Sequence, residues 1–457
     1  MTARAIVVVA WTGACALLLS SCRTRKADTD RVRSERVPVV VLITLDTTRA
    51  DHLGCYGYPR ATSPSLDRLA TESVLYTRAV ATTSWTLPAH ATLFTGKLAT
   101  SHGARYDPKG PLTLATVIEG PDEWRRYRAR PLAEEERTLA EVVRDAGYAT
   151  AAVVAGPWMR RPFGLAQGFD HYDEDGITTS DGRRAESVTD AALRWLEGTR
   201  DRDVFLFLNY YDPHGPYDPP EPFAHAFRAA GAARPEGVPA GDELKALYDA
   251  EILYLDRHLG RLLDGLRAQG RFERALIVVT ADHGELLEEH GRIGHGLSLT
   301  EPELAIPLIV KHPRGGALPG RSADPVQLTD VLSIVLARLG LAAPAGVQGG
   351  LPPTIGHPIV AEVDPLPFES SEGSWRALFD GNVKFLWNSK GRHQLFDLGR
   401  DPAEDHDLAP RERDRVARLA LLAERYFASL PGPGAAGPPR VLDEETRRAL
   451  ESLGYIR

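Results

Sequence analysis

Three stretches of the chain are apolar almost without interruption, and each ends in residues that can do chemistry. Val37–Leu45 (VPVVVLITL) runs into Asp46. Asp203–Tyr210 (DVFLFLNY) runs into Tyr211-Asp212-Pro213-His214-Gly215. Ala275–Ala281 (ALIVVTA) delivers Asp282-His283-Gly284-Glu285. Near-continuous apolar runs of this length, the first of them rich in β-branched residues, suit strands buried on both faces, as in parallel sheets. Tyr148–Ala155 and Ile306–Val310 read as further strands.

Between these runs the apolar period changes to that of a helix. Ser63–Ser73 carries Pro64 near its start and Leu66, Leu69 and Ala70 on one face. Leu139–Ala146 is closed by Gly147, and Arg183–Glu197 follows the next loop. Asp242–Gln269 repeats Leu244, Tyr248, Leu255, Leu259, Leu262 and Leu266 at spacings of three, four or seven, which marks one buried face. Leu328–Leu339 is another helix. Leu341–Pro367 is rich in Gly and Pro and reads as a surface linker. Short strands are then expected at Trp375–Asp380, Val383–Asn388 and His393–Asp397, with turns at Asp380-Gly381-Asn382 and Lys390-Gly391. A helix over Arg411–Ser429 and a packing element over Glu444–Leu453 close the chain. Alternating strands and helices predict the α/β class: a mostly parallel central sheet sandwiched by helices, with a smaller C-terminal α+β subdomain. The expected division is 1–22 signal, 23–36 tether, 37–365 catalytic domain and 366–457 C-terminal subdomain.

Composition narrows the function. Of 457 residues, 54 are Lys or Arg and 62 are Asp or Glu, a net charge of −8 with no basic block, which argues against a nucleic-acid partner. Arg4, the apolar run Ala5–Ser20 and then Leu19-Ser20-Ser21-Cys22 read as a secretory signal. Small residues before Cys22 resemble a bacterial lipobox, which would put a lipid on Cys22 and tether the protein to the membrane, on the periplasmic side of the outer membrane or at the cell surface. An ordinary cleaved signal or an uncleaved anchor are the alternatives. The three cysteines are Cys15, Cys22 and Cys55. With Cys15 removed and Cys22 lipidated, Cys55 has no disulfide partner, and cysteine ligation of zinc is excluded.

Around Trp85 the chain reads TTSWTLPAHATLFTG. Pro88, two residues after Thr86, suits the first turn of a helix. Free N–H groups and the positive end of the helix dipole favour an anion there, so Thr86 is either a helix cap or a nucleophile aimed at an anionic substrate. Asp46, at the C-terminal end of a buried strand, lies where open α/β sheets bind ligands, and is either a ligand-binding carboxylate or a helix cap. His214, held between prolines and a glycine, has the setting of an active-site residue, and Asp212 beside it is either a supporting carboxylate or a ligand. Adjacent Asp282 and His283 form half of a site for a hard or borderline metal. The Pro- and charge-rich region from Pro108 to Arg137 is an insertion, either a solvated loop or the wall of a substrate mouth.

LITLDTTRADHLGCYGY, then SPSLDRLATESVLYTRA, then the Pro88 helix and FTG resemble the start of the sulfatase family, in the alkaline phosphatase superfamily. The resemblance continues through Asp282-His283-Gly284, Gly294-His295-Gly296 and Leu395-Phe396-Asp397-Leu398. It implies a divalent metal (Ca, Mn, Mg or Zn) held by Asp46, the Thr86 oxygen, Asp282 and His283. It implies Thr86 as the metal-activated nucleophile, with His214 and His295 clamping the anion or protonating the leaving oxygen. The sequence also departs from the family. Formylglycine is made there from Cys or Ser, and Thr86 cannot yield that aldehyde. His90 replaces the motif Arg, Thr47 the second Asp, and His295 the usual Lys. The expected function is metal-dependent hydrolysis of an anionic ester, phosphoesters (diesters) preferred, with no protein partner implied. The alternatives are a sulfatase working without formylglycine and a weakened anion- or glycan-binding lipoprotein.

Overall fold

The computed structural model describes residues 37–228, 239–366, 372–434 and 448. The signal, the tether and the element expected at Glu444–Leu453 lie outside the described residues, except for Arg448.

The elements that place the site are β1 (Val39–Leu45), α1 (Pro64–Thr71), β2 (Val74–Val80), α2 (Thr86–Thr95), α3 (Leu139–Asp145), β3 (Ala149–Val153), β4 (His171–Asp173) and α4 (Ala185–Gly198). They continue with β5 (Val204–Tyr210), α5 (Gly241–Ala268), β6 (Ala275–Thr280), β7 (Ala305–Lys311), β8 (Gly320–Ser322), β9 (Val326–Gln327) and α6 (Leu328–Leu339). The main sheet has the order β8-β2-β7-β6-β1-β5-β3-β4, with β9 also pairing β2. β1 lies between β5 and β6 and is parallel to both, with Val39 beside Val204 and Ala275. β7 runs antiparallel to β6 and β2. The class predicted from the apolar runs is the one observed.

Alternate residues of β1 face opposite layers. Val40 and Leu42 join the core under α2, α3 and α6. Val39, Val41, Ile43 and Leu45 join the core under α1, α4 and α5. Because both faces are covered, the strand tolerates no polar position until it ends at Thr44 and Asp46.

The two longest strands hidden from the pattern are β2 and Ile359–Val363. β2 exposes Thr77 and Arg78 in its middle, which breaks the apolar run. Ile359–Val363 (β10) lies inside the segment read as a linker, and all five of its residues are buried. β10 pairs with β11 (Trp375–Asp380), which pairs with β12 (Val383–Asn388), which pairs with β13 (Gln394–Asp397), all antiparallel. One face of this second sheet packs on α7 (Arg413–Ser429) through Val360, Leu378, Phe385 and Leu395. The other face, with Ala361, Ala377, Leu386 and Phe396, joins the main core.

Candidate active site

Three parallel strands end side by side and carry the expected residues to one place. Asp46 follows β1, Asp212 and His214 follow β5, and Asp282-His283 follow β6. Ligand atoms of Asp46, Asp282 and His283 all lie within 4.8 Å of one another, and all three residues are buried.

Thr86 is the first residue of α2, and the cap position belongs to Trp85. The cap reading of Thr86 therefore fails, because its hydroxyl binds no helix N–H. Thr86 Oγ1 instead lies 3.3 Å from His283 Nε2. His283 Nδ1 donates to the Gly284 carbonyl at 2.9 Å, so Nε2 keeps its lone pair for the cluster. This is the tautomer a metal ligand needs.

The donor set suits a cation. Asp46 Oδ1 and Asp282 Oδ2 are buried and accept no hydrogen bond among the described residues. Burial, then the neighbouring Asp282, pushes the Asp46 carboxyl well above the usual carboxylate range. Burial likewise raises the Asp282 carboxyl and depresses His283 to about 4. Two crowded carboxylates with orphaned oxygens beside a neutral imidazole lack a positive charge, and a divalent ion would supply it.

Residues without an assigned role in the sequence complete the cluster. Asn209 donates to Asp46 Oδ2 at 3.2 Å, while its Oδ1 accepts from Ala155 and Gly156 N–H at 3.2 and 3.0 Å. Asn209 is a polar residue inside an apolar strand run, which is the signal that marks it. Thr47 N–H donates to Asp282 Oδ1 at 3.2 Å from a left-handed backbone (φ 52°). His90 donates from Nδ1 to the Thr86 carbonyl at 2.9 Å, and its Nε2 lies 2.9 Å from Thr44 Oγ1. Burial keeps His90 neutral, so it braces the first turn of α2 and does not replace the charge of an arginine.

A second row of imidazoles leads outward. His295 lies against His283, ring centroids 4.4 Å apart. His214 Nε2 and His295 Nε2 are 3.0 Å apart. His214 Nδ1 contacts the Gly215 carbonyl at 2.7 Å and His295 Nδ1 the Ser84 carbonyl at 3.3 Å. A carbonyl only accepts, so both Nδ1 atoms carry hydrogens. The Nε2–Nε2 contact is then attractive only when it holds one further proton. Burial opposes that proton, pushing His214 to about 4 and His295 well below its ordinary value. An anion placed beside the pair reverses the balance.

Glu285 is buried, and burial pushes its carboxyl up to about 8. Tyr217 and the Gly215 backbone hydrogen-bond it. Asp212 faces elsewhere: its Oδ1 accepts from Ala185 N–H at 3.0 Å, at the start of α4. It caps a helix and is absent from the metal-ligand group. His171 is exposed on edge strand β4 and joins no part of the site.

The sulfatase sequence profile matches residues 38–341. The chain belongs to the sulfatase family. It is a member of the alkaline phosphatase superfamily and an ester hydrolase. An ulvan-active sulfatase of Formosa agariphila is 25% identical over 435 residues, covering 85% of this chain and 80% of the relative. The multifunctional alkaline phosphatase superfamily protein PehA of Trinickia caryophylli is 25% identical over 398 residues, 68% of this chain and 75% of its own. The crystal structure of a phosphonate monoester hydrolase from Agrobacterium radiobacter superposes with a TM-score of 0.66 at 20% identity, covering 86% of this chain and 95% of that one.

Proposed function

We propose that this sulfatase-family hydrolase cleaves phosphate esters, diesters in preference, with Thr86 as its nucleophile. The observation that carries the reading is the Thr86 hydroxyl. It stands at a helix start, takes no part in capping, and contacts His283 of the acidic cluster. A threonine cannot become formylglycine, so the hydrated aldehyde that expels sulfate in the family is not formed here.

Asp46, Asp282, His283 and Thr86 Oγ1 are the groups that would hold a divalent ion, of the Ca, Mn, Mg or Zn class. When bound, such an ion lowers the pKa of a coordinated hydroxyl and polarises the oxygens of a tetrahedral anion. Thr86 Oγ1 loses its proton to solvent and attacks phosphorus in line, and the bond to the ester oxygen breaks. The proton held between His214 and His295 goes to that oxygen, which leaves as an alcohol. Backbone N–H groups at the start of α2 face the charge that builds on the phosphoryl oxygens. Water then attacks phosphorus and gives a proton back to the His214–His295 pair; the bond to Thr86 Oγ1 breaks, Oγ1 takes up a proton from solvent, and phosphate, or a phosphomonoester when the substrate is a diester, is released.

Sulfate-ester hydrolysis with unmodified Thr86 is the second reading, favoured by similarity over 85% of this chain to a relative named as a sulfatase. Retention as a weakened anion binder is disfavoured, because the acidic donor set is complete. The test is a substrate screen on the purified, metal-analysed protein with aryl sulfates, phosphate monoesters and phosphodiesters. Phosphodiester turnover fastest of the three supports the reading. Sulfate turnover far above phosphodiester turnover would reverse it. We further propose that a lipid on Cys22 tethers the enzyme to the periplasmic side of the outer membrane or to the cell surface.

A further inference from the structure

A cavity of about 690 Å3 opens at the imidazole row. Its inner wall holds His214, His295, Tyr211 and Glu285, so it adjoins the reacting groups. Its outer wall is aromatic. Trp85 and Trp158 meet edge to face, centroids 4.7 Å apart. Opposite chain segments add Tyr217, Leu244 and Leu247. Among the described lining residues there is no lysine and no arginine.

The insertion supplies the remaining part of this wall. Residues 105–130 fold as a three-stranded antiparallel sheet, Arg105–Tyr106, Leu112–Thr113 and Arg128–Arg130. This platform is tied down: Glu119 N–H donates to the Thr178 carbonyl at 2.8 Å, and Arg160 donates to the Val117 carbonyl at 2.9 Å. From it Leu114, Trp124 and Tyr127 line the cavity. Trp124 is half-buried, and its ring lies so close over Gly120 that a Cβ there would sit 1.9 Å from Cζ3. Gly120 is thus the seat of the indole. A solvated loop with no role would need none of these fittings.

A polyanionic glycan needs cationic partners along its path, and this wall offers none among the described residues. Rigid aromatic faces instead bury flat apolar groups at low entropic cost. We propose that Trp124 and Tyr127 of the insertion, with Trp85 and Trp158, form a leaving-group pocket selecting esters of uncharged, aromatic-sized apolar alcohols. The proposal rests on the catalytic reading above for its placement, but it concerns the part of the substrate that Thr86 does not touch.

The probe is 2-naphthol, the alcohol that such an ester releases, titrated into the purified protein while tryptophan fluorescence is followed. It needs no turnover to bind. Saturable quenching is expected, about tenfold weaker in Trp124→Ala and weakened again in Gly120→Ala, where the indole keeps its mass and loses its seat. Thr86→Ala is expected to bind naphthol as the parent does. In kinetics, Trp124→Ala should raise KM for a 2-naphthyl ester about tenfold while changing KM for the ethyl ester of the same anion less than twofold. Naphthol binding unchanged in both pocket variants would overturn the pocket, as would a sulfated oligosaccharide that binds more tightly than naphthol. Naphthol binding intact in a protein whose Thr86→Ala form keeps full turnover would overturn the nucleophile and leave the pocket standing.

Discussion

At the scale of single residues, the site works by denying its oxygens ordinary partners. Thr86 is the sharpest case, and Thr86→Ala should lower kcat by roughly 1,000-fold or more. Folding and most of the bound metal should remain, checked by thermal melting and metal analysis; an active variant would remove Thr86 from the mechanism. Asn209 acts through Asp46, so Asn209→Leu should weaken metal binding by about 10- to 100-fold in a chelator competition. Asp212 makes a separate prediction about pH. Burial raises its folded pKa to about 6, above its ordinary 3.8. The stabilisation from holding that proton is complete below about pH 4 and is lost as pH rises to 6. Asp212→Asn keeps an acceptor for Ala185 N–H and does not titrate. It should therefore gain on the parent between pH 4 and 6, reaching on the order of 1–3 kcal/mol above that window. Urea melts across the window check this, and a pH-independent difference would exclude it. Asp46, His214 and Asp282-His283 were legible because each ends an apolar run. Asn209 is marked in the sequence only as a polar break in an apolar run, and neither its role nor that of Glu285 was legible, because both depend on what neighbouring strands and loops bring to them.

At the scale of elements, the site depends on how one loop is pinned to the start of α2. His295 contacts the Ser84 carbonyl through Nδ1, and Ser84 Oγ donates to the Ser298 carbonyl at 2.8 Å. Buried Glu303 holds the loop from behind, its Oε1 accepting from Leu297 and Ser298 N–H at 3.2 and 3.4 Å. Its Oε2 accepts from the Ser298 hydroxyl. Glu303→Ala orphans these donors and frees His295 to shift, and kcat/KM should fall by about 10- to 100-fold. Glu303→Gln retains the acceptor oxygen and should recover most of the loss, whereas equal damage in both variants would mean that charge, and not placement, is what Glu303 provides. The strands β1, β5 and β6 were legible because burial on both faces forces unbroken apolar sequence. β2 and β10 were not: one exposes Thr77 and Arg78, and the other is enclosed by Pro and Gly segments whose local signal outweighs five buried residues.

At the scale of the whole molecule, sheet order brings together residues far apart in sequence, and nothing local encodes it. Thr86 and His283 are 197 positions apart, and they meet across the sheet: α2 follows β2, and β7 lies between β2 and β6, the strand that His283 follows. The way the C-terminal sheet is joined to the rest was equally hidden. Lys384 on β12 is fully buried and pairs with Glu301 and Glu404, each at 2.9 Å. Glu301 opens the short turn that carries Glu303, and its N–H donates to Glu404 at 2.6 Å. The second sheet therefore reaches the active-site loop through Lys384, Glu301 and Glu303. It also shares the main core through Ala361, Ala377 and Leu386. Two bodies with a common core and a buried lysine held between two glutamates should unfold together, so calorimetry should record one transition. Lys384→Met leaves buried Glu404 without its cation and should cost about 3–5 kcal/mol, because a buried charge stripped of its partner is penalised far more than the intact pair contributes. That loss should lower the single transition and reduce turnover with it. If the variant instead splits the melt in two and leaves turnover unchanged, the C-terminal sheet is an independent body and the active-site loop is held without it.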